Sequence, residues 1–140
     1  MLKNVLSVIA GLVTGMITIS LIHMVSGMIY PMPQGINPSN IEAFNEWLKT
    51  MPTGAFILVL FAHSFGAFDG GLVASLIAQK EKKMHCGLIV GAIILVAGIA
   101  NIMMIWHPLW FKIIDLILYV PAAYIGTKIG MMLKKDKEIN

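Results

Sequence analysis

The chain contains no arginine and a single cysteine, Cys86, in 140 residues. All ten of its basic residues are lysine. Without arginine there is no planar fork for bidentate reading of bases or phosphates, so nothing points to nucleic acid as a partner. A lone cysteine excludes an internal disulfide framework and any CxxC metal or redox motif. Charge is scarce as well: 12% of residues are charged and 58% are hydrophobic. An ordinary soluble domain carries about 25% charged residues. A water-soluble globule is therefore excluded. So is a disordered chain, which is polar and poor in large apolar residues. No P-loop, nucleophile elbow or metal-binding motif is present.

What the sequence has is four long apolar stretches: Val5–Ile29, Pro52–Ala78, Cys86–Trp106 and Leu109–Leu133. Each exceeds the roughly 20 residues that a helix needs to cross a bilayer. In lipid each must satisfy its backbone polar groups internally, so each is expected to be helical. The first is too long for the apolar core of a signal peptide and ends in no small-x-small cleavage site, so an uncleaved anchor is expected. The expected fold class is an all-α integral membrane protein. It is a single domain, 1–140, built as a four-transmembrane-helix bundle with a short amphipathic helix in the first outer loop.

That loop runs from Pro31 to Met51. Pro31, Pro33 and Gly35 stop the first helix. Ser39-Asn40-Ile41-Glu42 has the form of a capping box with Ser39 as the cap. A helix over 40–49 is predicted, with Ile41, Phe44, Trp47 and Leu48 on one side and Glu42, Asn45, Glu46 and Lys49 on the other. Such a helix rests in the membrane interface as a connector, or covers a site as a lid. The connector is the plainer expectation.

Lysine placement sets the expected orientation. Lys3, Lys80, Lys82, Lys83, Lys134, Lys135 and Lys137 fall on one side of the four spans, and only Lys49 and Lys112 on the other. The positive-inside rule then puts both termini in the cytoplasm. The lysine-rich side also forms a basic surface that attracts anionic lipid. Tyr30, Trp47, Trp106 and Trp110 mark the outer interface, where amphipathic rings are favoured. The organisation resembles small four-helix bacterial inner-membrane proteins, so a bacterial-type inner membrane is the expected location.

Each span carries a G-x-x-x-G: Gly11/Gly15, Gly66/Gly70, Gly87/Gly91 and Gly126/Gly130. Small residues let membrane helices approach closely. Most of these glycines fall toward the cytoplasmic half, so tight packing is expected there and a cavity in the outer half.

Ionisable groups at membrane depth are costly and are functional candidates by default. Helical phase places His63, Asn101, Asp115 and Tyr119 on the glycine faces of their helices, so they are expected to converge in the outer half. His23 lies about 120° from the Gly11/Gly15 stripe by the 3.6-residue period, and is expected to face a second bundle surface or another protomer. Asp69 is off its stripe too. Lys128 is expected to snorkel to the interface. His107, in the tight turn Trp106–Trp110, is expected to be an exposed turn residue. Cys86 is expected to be inert.

The plain reading of the polar cluster is interhelical hydrogen bonding. The functional reading is a ligand or proton site, with Asp115 as acid and His63 as a partner able to titrate near neutral pH. No H-x-x-x-H or E-x-x-H spacing supports a metal, and no cofactor is implied. The favoured function is a non-enzymatic protein that binds, or helps to move, a lipid-like or small ligand through an outward-side polar pocket. The alternatives are an assembly subunit that packs through its glycine stripes, as a homo-oligomer or within a membrane complex, and a small membrane enzyme using His63 and Asp115. The bilayer itself is the expected first partner.

Overall fold

The computed structural model describes the backbone of residues 1–139 and the side chains of residues 1–133. The lysines at 134, 135 and 137, assigned to the basic surface, have side chains outside the described residues. The chain is all-helical, with no strand among the described residues: α1 (Leu2–Ile29), α2 (Ile41–Lys49), α3 (Thr53–Ile77), α4 (Lys83–Met104) and α5 (Leu109–Ile139). A 3-10 turn, Lys80–Lys82, leads into α4. Helices α1, α3, α4 and α5 are each long and apolar enough to cross a membrane.

The helix limits have local causes. Tyr30 ends α1 just before Pro31, the first of two prolines, and Gly35 follows with a φ of 95°, a left-handed conformation that glycine adopts without steric cost. Pro52, extended at ψ 154°, precedes the first turn of α3. The Pro108 carbonyl accepts from the Lys112 amide at 3.1 Å, so the α4–α5 turn flows directly into α5. Pro121 lies inside α5, which runs through it.

Helix α3 is the centre of the bundle. Its buried residues are almost all small, including Ala62, Gly66, Ala67, Gly70, Gly71 and Ala74. Those residues let three neighbours close on it. Against α1, a Cβ on Gly11 would stand 2.5 Å from the Gly70 carbonyl oxygen, and one on Gly15 would stand 2.6 Å from that of Gly66. The paired numbers run in opposite directions, so α1 and α3 are antiparallel. Against α5, Gly126 lies on the Phe68 backbone and Gly130 on the Leu72 backbone. These numbers rise together, so α3 and α5 are parallel. Helix α4 meets α5 through Gly87 at Thr127 and Gly91 at Ala123, again antiparallel. All eight glycines of the four G-x-x-x-G pairs thus face neighbours within the chain.

Two hydrogen-bonded ties identify the two ends of the bundle. At one end, Asn4 Nδ2 donates to Gln79 Oε1 and the Gln79 amide donates to Asn4 Oδ1, both at 3.0 Å. This end carries the N-terminus, the α3–α4 connection and Lys80. Lys83 departs from expectation, because it is buried rather than part of an exposed basic surface. At the other end, the Trp106 amide donates to Asn45 Oδ1 at 2.8 Å, tying α2 to the α4–α5 turn.

Helix α2 begins one residue later than the capping box suggests. Asn40, not Ser39, is its N-cap and accepts from the Ala43 amide at 3.2 Å. The Ser39 amide instead donates to Asn37 Oδ1 at 2.9 Å. That two-residue asparagine turn holds Ser39 ahead of the helix.

Candidate functional site

Two features occupy the α2 end of the bundle. One is a buried polar cluster between α3 and α5. The other is a cavity of about 530 Å³ between α1 and α4.

The cluster starts with His63 on α3. Its Nδ1 lies 2.7 Å from Asp115 Oδ1 and 2.8 Å from the Tyr119 hydroxyl, both on α5. The Tyr119 hydroxyl donates to Asp115 Oδ2 at 2.9 Å. Asp115 and Tyr119 are one helical turn apart, so they share a face of α5. All three side chains are buried. With Asp115 as a carboxylate, which can only accept, the His63 Nδ1 carries the proton between them. That leaves His63 Nε2 as the free nitrogen. Tyr119 also stacks on the His63 ring, centroids 5.5 Å apart. The stack needs Gly98 of α4, because a side chain there would collide with the phenol.

His23 of α1 completes the neighbourhood. Its ring centroid is 5.6 Å from that of His63, tilted by 54°. His23 therefore stands beside the cluster, against the His63 ring. It also borders the cavity. Asn101 makes no hydrogen bond to His63, Asp115 or Tyr119; it lines the cavity on the α4 side. Of the five candidate residues, three form the buried cluster, His23 stands between cluster and cavity, and Asn101 belongs to the cavity alone.

The cavity exists because α1 and α4 diverge. Near the Asn4–Gln79 end they touch, Gly11 at Val90 and Gly15 at Ile94. Toward the α2 end, His23 and Ser26 of α1 and Tyr30 just after it face Asn101 of α4 and Ile105 just after it across open space, with Phe56 and Val59 of α3 as the back wall. Phe44, Trp47 and Leu48, the apolar side of α2, form the roof. The size falls within the 300–1,000 Å³ usual for small-molecule sites. No lysine, aspartate or glutamate lines it.

His107 departs from expectation. It is buried, not exposed, with its ring stacked on Phe111 at 4.6 Å and Phe56 at its edge. Its Nδ1 donates to the Ile105 carbonyl at 2.9 Å. Burial pushes the imidazole below its ordinary value of 6.5, against the opposing pull of that carbonyl. Four aromatic neighbours, Phe56, Trp106, Trp110 and Phe111, fold around this turn. The signal for this burial in the sequence is the aromatic density beside His107.

Asp69 lies apart from the cluster. Its Oδ2 accepts from Thr18 Oγ1 of α1 at 2.8 Å. Lys128 sits over the Tyr124 ring at 5.4 Å. Cys86 is buried, with its Sγ 3.9 Å from the Asn4 carbonyl oxygen. No group of three or more metal-ligating side chains is found among the described residues.

The chain matches no family model, no curated protein and no solved structure. The functional reading therefore rests on the geometry of the site.

Proposed function

We propose that this is a non-enzymatic multi-pass membrane protein that binds, or helps to move, an uncharged or weakly polar amphiphile in the cavity beneath α2. The observation that carries this reading is the cavity's construction. Its walls are mostly apolar and aromatic, and its polar side chains are few: His23, Ser26 and Tyr30 on the α1 side, Asn101 on α4, the Trp47 indole in the roof and His107 in the α4–α5 turn. Lining of this kind suits a ligand with an apolar body and a small hydrogen-bonding head. The absence of charged lining side chains argues against a strongly ionic ligand, which would lose its hydration without a counter-charge.

Two further points support the membrane setting. The four long helices present broad apolar surfaces outward, with Ile9, Val13, Met16, Ile17 and Leu21 of α1 all exposed. The lysine distribution favours a cytoplasmic N-terminus, with α2 and the cavity on the outer side. The location we propose is a bacterial-type inner membrane.

Native mass spectrometry of the protein released gently from its own membranes tests the reading. A stoichiometric non-bulk adduct is expected in the wild type and is lost when Val59→Trp fills the cavity. Equal adduct occupancy in both proteins sinks it. A bare oligomer in both favours the second reading, an assembly subunit. That subunit would have to use surfaces other than the glycine pairs, since these meet the chain's own helices.

A further inference from the structure

We infer that His63 and Asp115 form a proton-binding site that opens to the cavity beside His23. The inference concerns the same region as the proposed ligand site but does not depend on the ligand.

The two ring nitrogens of an imidazole project to nearly opposite sides, and the hydrogen bond that one makes sets which of them carries the proton. The His63 Nδ1 is fixed on α5 by Asp115 Oδ1 and the Tyr119 hydroxyl. Its Nε2 therefore projects away from α5, toward α1, where the His23 ring stands 5.6 Å away. No hydrogen bond engages Nε2, and no buried side-chain nitrogen or oxygen among the described residues lacks a partner. Nε2 thus keeps a small exposed surface although His63 is buried, and His23, not His63 itself, lines the cavity. His23 is itself exposed and borders the cavity. The order along the bundle is cavity, His23, His63, Asp115.

Toward the other end the path closes. Gly66, one turn below His63, is packed under Ile19 and Gly15, and Gly70 under Val90 and Gly11. Ala62 and Ala67 have no exposed surface. Protons therefore reach the cluster from the cavity side.

The step is a simple one. A proton from the aqueous phase adds to His63 Nε2, an N–H bond forms, and the carboxylate of Asp115 balances the charge through the retained Nδ1–H bond. The remaining groups around His63 fit this account. From α1 comes His23, and from α5 come Asp115 and Tyr119. From α3 the next ionisable group is Asp69, already held by Thr18. Helix α4 brings only the uncharged Asn101 at this level. His107 is stacked on Phe111 in the turn, with Lys112 beyond it. One carboxylate balances one positive charge, and two adjacent imidazolium rings repel. The cluster therefore takes up one proton, not two.

The test is nitrogen NMR of the full chain in lipid bilayers, labelled at the histidine ring nitrogens and followed from about pH 8 to pH 5. The His63 signals are assigned by their absence in His63→Gln. In the wild type, His63 is expected to keep Nδ1–H throughout and to gain a proton at Nε2. In Asp115→Asn the Nε2 uptake is expected to be lost from that range. In Tyr119→Phe it is retained. Amide spectra report whether each variant keeps the fold, and if Asp115→Asn does not, the wild-type titration decides alone. A His63 that keeps one protonation state across the range overturns the proposal, as does an identical titration in a folded Asp115→Asn. No ligand enters this experiment, so an empty cavity and a silent His63 are separate failures.

Discussion

Asp115 Oδ1 and His63 Nδ1 stand 2.7 Å apart, joining α3 to α5 across 52 residues of sequence. The contact is buried on both sides, so neither group has water to fall back on. Removing one partner then costs more than the pair's net worth, because it leaves the other unsatisfied. Asp115→Leu removes the acceptor shared by the His63 Nδ1 and the Tyr119 hydroxyl and leaves the two groups only each other, 2.8 Å apart. One buried donor is then left without an acceptor, at a cost of about 1–3 kcal/mol. Asp115→Asn keeps an acceptor in place and is expected to cost clearly less. Thermal unfolding in detergent checks the ranking. Equal loss from both variants would show that shape rather than hydrogen bonding holds α3 to α5 here.

The glycines divide sharply by surroundings. Gly126 rests on the Phe68 backbone, which cannot move aside like a side chain, whereas a Cβ on Gly27 would meet no atom within 4 Å. Gly126→Ala is expected to force α5 from α3 and to cost about 1–3 kcal/mol, the usual range for overpacking. Gly27→Ala is expected to be neutral or to stabilise α1 by up to about 1 kcal/mol, because alanine is the better helix former. Paired unfolding curves decide the matter. Similar destabilisation by both substitutions would mean that the close α3–α5 approach is not what the Gly126 site requires.

Much of this architecture is legible in the sequence. Apolar length alone gives four helices, and helical phase places His63, Asp115 and Tyr119 on faces that the structure brings together. Phase misplaces His23 for a definite reason. A fixed angular stripe through Gly11 and Gly15 excludes it, but packed helices meet along rows four residues apart. On α1 that row is Gly11, Gly15, Ile19 and His23. It winds around the helix, so Ile19 reaches Gly66 and His23 reaches His63. Asn101 errs the other way: its phase is that of the glycine face that meets α5, yet it makes no hydrogen bond to Asp115 or Tyr119 and borders the cavity instead. The aromatic residues beside His107 hint at its burial, but the contact with Phe56 from α3 is one that no local pattern reveals.

The start of α2 offers a test confined to the cavity roof. Asn40 accepts from the Ala43 amide, and Ser39 makes no such bond to the helix. Loss of an N-cap asparagine costs a helix about 0.5–2 kcal/mol. Asn40→Ala is expected to raise amide exchange across Ile41–Lys49, with little change in α3 or α5. Ser39→Ala should leave α2 near its wild-type protection. The reverse order would restore the capping-box assignment.

The α4–α5 turn carries a pH dependence whose sign follows from His107. Burial lowers its proton affinity in the folded protein relative to the ordinary value of 6.5. The unfolded chain therefore binds the proton more tightly than the folded one. Stability rises with pH wherever the unfolded state holds more protons. The contribution of His107 is complete above that ordinary value, and it is lost progressively as pH falls from there toward the lower folded value. His107→Phe keeps an aromatic ring against Phe111 and Phe56 but has nothing to titrate. It forfeits the bond to the Ile105 carbonyl, so its stability at neutral pH is expected to drop by about 0.5–1.5 kcal/mol. Its acid limb should be flatter than that of the wild type. The difference between the two melting-temperature profiles isolates His107 from the other histidines, which both proteins share. Parallel profiles down to about pH 5 would show that the turn stays shut around a charged ring.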